Sequence, residues 1–306
     1  MSTTLSAVRV GVIGAGRVGA VLGAALRHRG HEVVSVAGES DASLRRAADL
    51  LPGVPVLKPT AVARSCDVLL LTVPDDMLEN VVTQLAASGA LHAGQYVVHT
   101  SGRHGLGVLG AATAVGTRPV AMHPAMTFSG TGRDLGRLAD CVFGVTAGPA
   151  ERDWAEALVA ELGGRVSWVP EELRGLYHAG LAHGANHLVT LVSQAMELLS
   201  AAGAQDPSAT LRPLLEAALD NALSEGDAAL TGPIVRGDVN TVRAHVAEIT
   251  ANAPDTLRSY LTLARATLDR VVTDGRVLPI RGDAIRRVLD GAVRPSAEPQ
   301  RRTPSR

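Results

Sequence analysis

Lysine is almost missing from this chain. Of 29 lysine and arginine residues among 306, Lys58 is the single lysine. Chemistry that needs an amine, such as Schiff-base formation, therefore has one candidate. That candidate stands beside Pro59 in a loop-like stretch. Aromatic residues make up 2% of the chain, so a core has to be built mainly from Ala, Val and Leu. Two cysteines, Cys66 and Cys141, are too few and too far apart for a disulfide framework or a zinc site, and each reads as a buried thiol. An excess of charge of either sign is also missing. The formal net charge is −1, which removes the electrostatic case for nucleic acid or an anionic membrane as partner. No run of about 18 uncharged apolar residues occurs, as a membrane helix would need. No signal peptide is recognised ahead of the first strand, so a cytoplasmic protein is expected. No carboxylate accompanies the histidines at ligand spacing, and no metal is expected.

What the chain does have is apolar residues, 46% of the total, enough for the cores of two domains. The organising stretch is Arg9 to Gly19. The apolar run Val8 to Ile13 ends in Gly14-x-Gly16-x-x-Gly19, and an Ala-rich amphipathic segment, Ala20 to Arg29, follows. Strand, glycine turn and helix together predict the first βα unit of a dinucleotide-binding fold. Gly14 would allow the tight turn, Gly16 the approach of a pyrophosphate to the backbone, and Gly19 close packing of helix on strand. Ala15, Arg17 and Val18 complete the phosphate turn at the positive end of the helix.

Further along, Glu32 to Ala37 predicts a second strand. Glu39 then stands about 20 residues past Gly19, where an acid would bind the ribose of NAD. Ser40, Ser43, Arg45 and Arg46 follow, and an arginine there would hold the 2′-phosphate of NADP. NADP is favoured, with NAD as the alternative. A short third strand is expected at Val54 to Leu57. Later strands are expected at Asp67 to Val73, Tyr96 to His99, Pro119 to Met122, Cys141 to Thr146 and Val166 to Val169. Ligands in such sheets lie beyond the carboxyl ends of the strands. Val73, Pro74, Thr100 and Ser101 are accordingly expected to line the cofactor groove. From Glu171 onward the pattern is helical throughout, interrupted at Gly203 to Pro207 and at Leu230 to Asp238.

Four stretches carry a resemblance: Gly14 to Gly19; His123-Pro124 with Phe128-Ser129-Gly130; Tyr177-His178 through Asn186; and Leu230-Thr231-Gly232-Pro233 with Arg236-Gly237-Asp238. They resemble a bacterial family of Rossmann-like proteins with a C-terminal helical domain of unknown function. The wider superfamily includes ketopantoate reductase, prephenate dehydrogenase and pyrroline-5-carboxylate reductase. The resemblance implies an NAD(P)-linked oxidoreductase and leaves the substrate open. Hydroxyisobutyrate-type relatives carry Lys-x-x-x-Asn on the inter-domain helix. Asn186 matches that asparagine, but Ala182 stands where the lysine would be. A His-Pro turn near the nicotinamide, as in prephenate dehydrogenases, matches His123-Pro124.

Hydride transfer to a carbonyl needs a proton for the oxygen and a grip on the substrate. His123 is the leading proton donor, with Pro124 stiffening its turn; the competing reading is a histidine that caps the strand end. His178, His183 and Asn186 lie on the first long helix. The spacing of eight from His178 to Asn186 returns to about the same face. Asn186 would orient the substrate, with His183 beside it, unless the three form a buried polar cluster. Arg236 would clamp a substrate carboxylate, helped by Thr231 and His178. Asp238 reads more simply as the cap of the helix from Val239.

The fold expected is therefore α/β: a doubly wound Rossmann-type sheet over residues 1–169, then an all-α domain over 170–292 that binds substrate and forms a homodimer, then a disordered tail over 293–306. The function expected is NADPH-dependent reduction of a small 2-oxo acid of the ketopantoate type. The alternatives are prephenate- or pyrroline-5-carboxylate-type chemistry, an NADP-binding regulator, or a helical scaffold with a vestigial nucleotide fold.

Overall fold

The computed structural model describes residues 5–292. The tail expected at 293–306 lies outside them. The chain divides into two compact units, and the division falls between Ala185 and Asn186, inside one long helix.

The first unit is built on one seven-stranded sheet. Its strands are β1 Arg9–Ile13, β2 Glu32–Ala37, β3 Val68–Leu71, β4 Tyr96–His99, β5 Arg118–Pro124, β6 Val142–Ala147 and β7 Arg165–Trp168. Their order is β2-β1-β3-β4-β5-β6-β7. Only the β5–β6 pair is antiparallel. β3 is Val-Leu-Leu-Leu and buried at every position, as a strand covered on both faces must be. Its residues alternate between two cores. Val68 and Leu70 join one apolar cluster, Leu69 and Leu71 the other. Helices α1 Arg17–His28, α2 Asp41–Leu50, α3 Pro59–Arg64, α4 Asp75–Ala87, α5 Gly110–Ala114, α6 Arg133–Arg137 and α7 Arg152–Glu161 connect the strands.

Two sequence expectations are corrected. Val54 to Leu57 is not a strand; a single bridge joins Val36 to Val56. The segment lies between Pro52 and Pro59 and contains Pro55, and Val56 is 49% exposed, so little apolar surface rewards pairing. The second correction concerns His123 and Pro124, which end β5 rather than forming a turn after it. Pro124 is tolerated because the next amide, Ala125, bonds the β6 carbonyl of Val142. The Pro124 nitrogen therefore faces the other side, where β4 pairs β5 no further than Ala121.

Helix α8, Arg174–Ala201, spans the division between the units. The second unit continues with α9 Pro207–Glu225, α10 Val239–Asn252, α11 Pro254–Thr273 and α12 Pro279–Gly291. No strand occurs among its described residues. Its core gathers Val242, Leu261, Leu268, Val271, Ile285 and Leu289, with Leu230, Ile234 and Val235 of the Leu230 to Asp238 loop packed against it. Asp238 caps α10, accepting from the Thr241 amide at 3.1 Å and its hydroxyl at 2.6 Å. No described helix is long and apolar enough to cross a membrane.

The turn glycines divide by what surrounds them. A methyl on Gly19 would overlap the Gly14 carbonyl and the Thr72 hydroxyl and stand 3.0 Å from Val12. A methyl on Gly16 would meet nothing nearer than the Gly14 carbonyl at 3.9 Å. Gly19→Ala is therefore expected to destabilise the protein by about 1–3 kcal/mol. Gly16→Ala should change stability by less than about 0.5 kcal/mol. Urea denaturation of the two variants checks this, and equal losses would overturn it.

Candidate nucleotide turn and the β4–β5 edge

At the end of β1 the chain turns at Gly14, whose φ is +100°. A methyl there would lie 2.7 Å from the Thr72 backbone, so both the conformation and the close approach require glycine. The Gly14 and Ala15 amides donate to the Ala37 carbonyl at 2.9 and 3.0 Å. The Thr72 hydroxyl donates to the Gly14 carbonyl at 2.6 Å, a clamp the sequence did not announce. Helix α1 then starts at Arg17 with no side-chain cap and no acid in its first turn. An uncapped helix start with open space over Gly16 suits an anion held by backbone N–H groups.

Beside this turn lies the loop after β5. Asp134, fully buried, accepts from the Gly130 amide at 2.7 Å and the Ser129 hydroxyl at 2.9 Å. Burial works against its charge, but these bonds outweigh it and hold the carboxyl below its ordinary range. The loop is thereby fixed with Gly130 against two arginines. A methyl there would stand 2.8 Å from Arg46 Nε and 3.0 Å from Arg17 Cγ. Arg46 is half-buried, whereas Arg45, the other arginine of α2, is exposed. Ser40 is the N-cap of α2, accepting from the Ser43 amide at 3.2 Å. Val73 is half-buried and Pro74 exposed at the start of α4.

The β4 end is braced from within. His99 is fully buried. Its Nε2 donates to the Gly105 carbonyl at 2.8 Å, and its Nδ1 accepts from the Ser101 amide at 3.2 Å. Glu171 clamps the same loop, accepting from the Leu106 and Gly107 amides at 2.7 and 3.0 Å. Ser101 is buried and its hydroxyl accepts from the His104 amide at 3.1 Å, so it builds the loop. Thr100 is half-buried beside it.

At the end of β5, His123 meets three residues from the first turns of α8. His123 Nδ1 lies 3.1 Å from the Tyr177 hydroxyl. The ring of His178 stands edge-on to His123 at 6.1 Å. Both histidines pack on Gly102, where a methyl would meet His178 at 2.6 Å and His123 Nε2 at 3.2 Å. Arg174 lies beneath, with no exposed surface. Its guanidinium donates to the carbonyls of Ser101 at 2.6 Å and Gly144 at 3.3 Å and to the Thr146 hydroxyl at 3.0 Å. All three partners are neutral. Arg174 is not legible from local pattern, because its partners are 28 to 73 residues away. Burial and the Arg174 charge push the His123 imidazole down to about 4, and His178 adds to this. His99 is likewise pushed down to about 4, chiefly by burial.

Of the other expected residues, His183 and Asn186 occupy exposed positions on α8, the latter opening the second unit. Thr231 and Arg236 lie exposed in the Leu230 to Asp238 loop of that unit. Among the described residues no cluster of three metal-ligating side chains occurs.

Residues 2–124 match the family model of the Rossmann-like domain, and residues 141–267 that of a domain of unknown function, DUF2520. The chain pairs a Rossmann-like domain with a DUF2520 domain. His123 belongs to the first, whereas Gly144, Arg174, Tyr177 and His178 belong to the second. No curated protein matches the chain. Solved structures share the fold. An NADP oxidoreductase candidate from Bacteroides fragilis is 21% identical, covers 85% of this chain and 98% of its own, and has a TM-score of 0.72. A reductive aminase from Aspergillus terreus, in complex with NADPH and ethyl levulinate, is 16% identical over 92% and 99%, with a TM-score of 0.60. A Streptomyces aurantiacus imine reductase is 17% identical over 93% of each chain, with a TM-score of 0.57.

The two depressed histidines give this Rossmann-like domain a pH signature. An unfolded chain takes up protons below about 6.5, while folded His99 and His123 refuse them until about 4. Stability present above pH 6.5 is therefore lost as pH falls toward 4, by at most about 3 kcal/mol per histidine. Denaturation by urea at pH 7.5 and 4.5 checks the sign. Equal stability at the two values would show that these imidazoles titrate normally.

Proposed function

We propose that the protein is an NADP-linked reductase of a C=O or C=N bond in a small molecule. The observation that carries the reading is the uncapped start of α1. It has open space over Gly16, and Arg17 and Arg46 converge on Gly130 beside it. The residues fit the cofactor: backbone N–H groups for the pyrophosphate, and two guanidinium groups for a 2′-phosphate. Arg46 replaces Arg45 as the favoured phosphate ligand because it lies against that loop while Arg45 is exposed. Val73, Pro74 and Thr100 follow the carboxyl ends of β3 and β4, where the nicotinamide half would run. The bound cofactor would supply a hydride, and His123 is the residue placed to serve the atom that receives the proton. His178 stands beside it. His183 is proposed to orient the substrate, and Asn186, Thr231 and Arg236 are proposed as ligand-binding residues of the second unit. Two structural neighbours reduce or form C–N bonds by name, which favours carbonyls and imines as the substrate class. A ketopantoate-type 2-oxo acid and a cyclic imine are the first two compounds to assay.

A homodimer through the helical unit belongs to the same proposal. Helix α9 buries Leu211 alone, while Leu214, Leu219 and Leu223 are 65%, 50% and 81% exposed. On α8, Val189 is 68% exposed. Apolar surface of this extent on consecutive helices supports a second copy as its cover. Sedimentation should then give a dimer for the native chain and a monomer for Leu219→Glu/Leu223→Glu. A monomeric native chain at micromolar concentration would remove the dimer.

The cofactor reading is tested by thermal shift. NADPH at 100 times its Kd should add about 2.7 kcal/mol of stability. Gly16→Ala should abolish that shift in a protein that is otherwise as stable. Arg46→Ala should weaken NADPH about 10- to 100-fold and leave NADH unchanged, since only the 2′-phosphate contact is lost. Absence of any shift with NADPH or NADH would overturn the reductase.

A further inference from the structure

The contact between His123 and Tyr177 is a built feature. Gly144 pairs directly with His123 across the β5–β6 ladder. The Tyr177 ring sits on Gly144, where any side chain would overlap its Cζ and Oη. That seat brings the Tyr177 hydroxyl to 3.1 Å from His123 Nδ1, with the rings edge to face at 5.7 Å. One helical turn before Tyr177, the Arg174 guanidinium lies 6.0 Å from the Tyr177 ring centroid. No carboxylate partners Arg174 among the described residues, and its Nε is buried without a partner. The other edge of His123, with Nε2, faces Gly102 and His178.

We propose that Tyr177 is a positioning and relay residue: its hydroxyl donates to His123 Nδ1, so that His123 presents Nε2–H to the substrate and Tyr177 is the reservoir of the delivered proton. The inference rests on the reductase reading and names its proton path. A buried, uncompensated guanidinium disfavours a second cation beside it, so the proton has to come from neutral groups. Hydride addition to the carbon of C=X leaves an electron pair on X, which takes the proton from Nε2. The Nε2–H bond breaks and X–H forms. The Tyr177 O–H bond breaks and Nδ1–H forms. His123 ends as its other neutral tautomer, and the negative charge comes to rest on the Tyr177 oxygen. Burial lifts the Tyr177 hydroxyl above its ordinary value, and the Arg174 charge and the Gly144 amide offset part of that rise. Water returns the proton after product leaves.

The relay explains how a chain with no lysine but Lys58 can protonate a product. It also assigns a role to Gly144, as the space the tyrosine needs.

The test is the full-length chain labelled with ¹⁵N-histidine, compared with Tyr177→Phe at pH 7. In the native chain His123 Nδ1 should resonate as a hydrogen-bonded acceptor, with the proton on Nε2. In Tyr177→Phe the Nδ1 signal should move to the position of a free acceptor, while His99 stays unchanged. With NADPH and a substrate that turns over, Tyr177→Phe should lower kcat at least 100-fold and leave KM and the NADPH Kd within about twofold. A native chain with the proton on Nδ1 overturns the relay, as does a folded Tyr177→Phe variant with native kcat. Should NADPH fail to bind the native chain, the reductase reading itself falls. That outcome is distinct from either failure above, because the ¹⁵N spectra need no cofactor. If Tyr177→Phe does not fold, the proton inventory of the native enzyme decides: curved for two protons in motion, linear for one.

Discussion

Much of the first unit depends on one buried cation. Arg174 opens α8 and ties two segments to it through three guanidinium bonds: the loop after β4 at Ser101, and β6 at Gly144 and Thr146. A fully buried charge with only neutral partners is costly, and the bonds it makes recover part of that cost. Replacing Arg174 would leave the Ser101 carbonyl without the 2.6 Å donor it now has. The residue therefore fixes where α8 begins. From that start Tyr177 and His178, one turn on, meet His123. The geometry of the β5 end and its electrostatics thus have the same origin.

The glycines illustrate how one motif holds two kinds of constraint. Gly14 and Gly19 are required by the protein itself, since Thr72, Val12 and the Gly14 carbonyl occupy the space a side chain would need. Gly16 has no such neighbour. At an uncapped helix start that openness leaves the backbone N–H groups of α1 within reach of an anion. The same test separates Gly144, filled by Tyr177, and Gly102, bordered by two histidines, from Gly110 or Gly132, where nothing lies near.

What the sequence disclosed followed from local pattern. β3 was legible because both faces are buried and the run is continuously apolar. The helices of the second unit were legible to within a few residues because no strand pattern competes there. Val54 to Leu57 misled because β-branched composition was weighed above its prolines. The expected β5 stops two residues short at its carboxyl end because Pro124 suggests a turn; that its nitrogen lies on an unpaired side is a property of sheet order, which a single sequence does not state. The choice between Arg45 and Arg46 depended on which face of α2 meets the Gly130 loop. Ser40 stands in the stretch read for the cofactor, and its side chain caps α2. Tyr177 and Arg174 were hidden for a different reason. Their partners stand 54 and up to 73 residues away, across the boundary between the Rossmann-like and DUF2520 sequences for His123 and Ser101.

The scarcity of lysine bears on the chemistry of this edge. An ammonium placed at the end of β5 would stand against the Arg174 guanidinium with no carboxylate between them, and both that charge and burial would disfavour its protonated form. A phenol has the opposite relation to that charge. It is neutral while it holds its proton, so it does not repel the guanidinium, and the anion it leaves is stabilised by the same group. The cost of burying Arg174 is borne whether or not the site is at work, but its attraction is felt only as charge develops on the Tyr177 oxygen. An interaction that strengthens along the reaction, and not before it, is the kind that accelerates a chemical step.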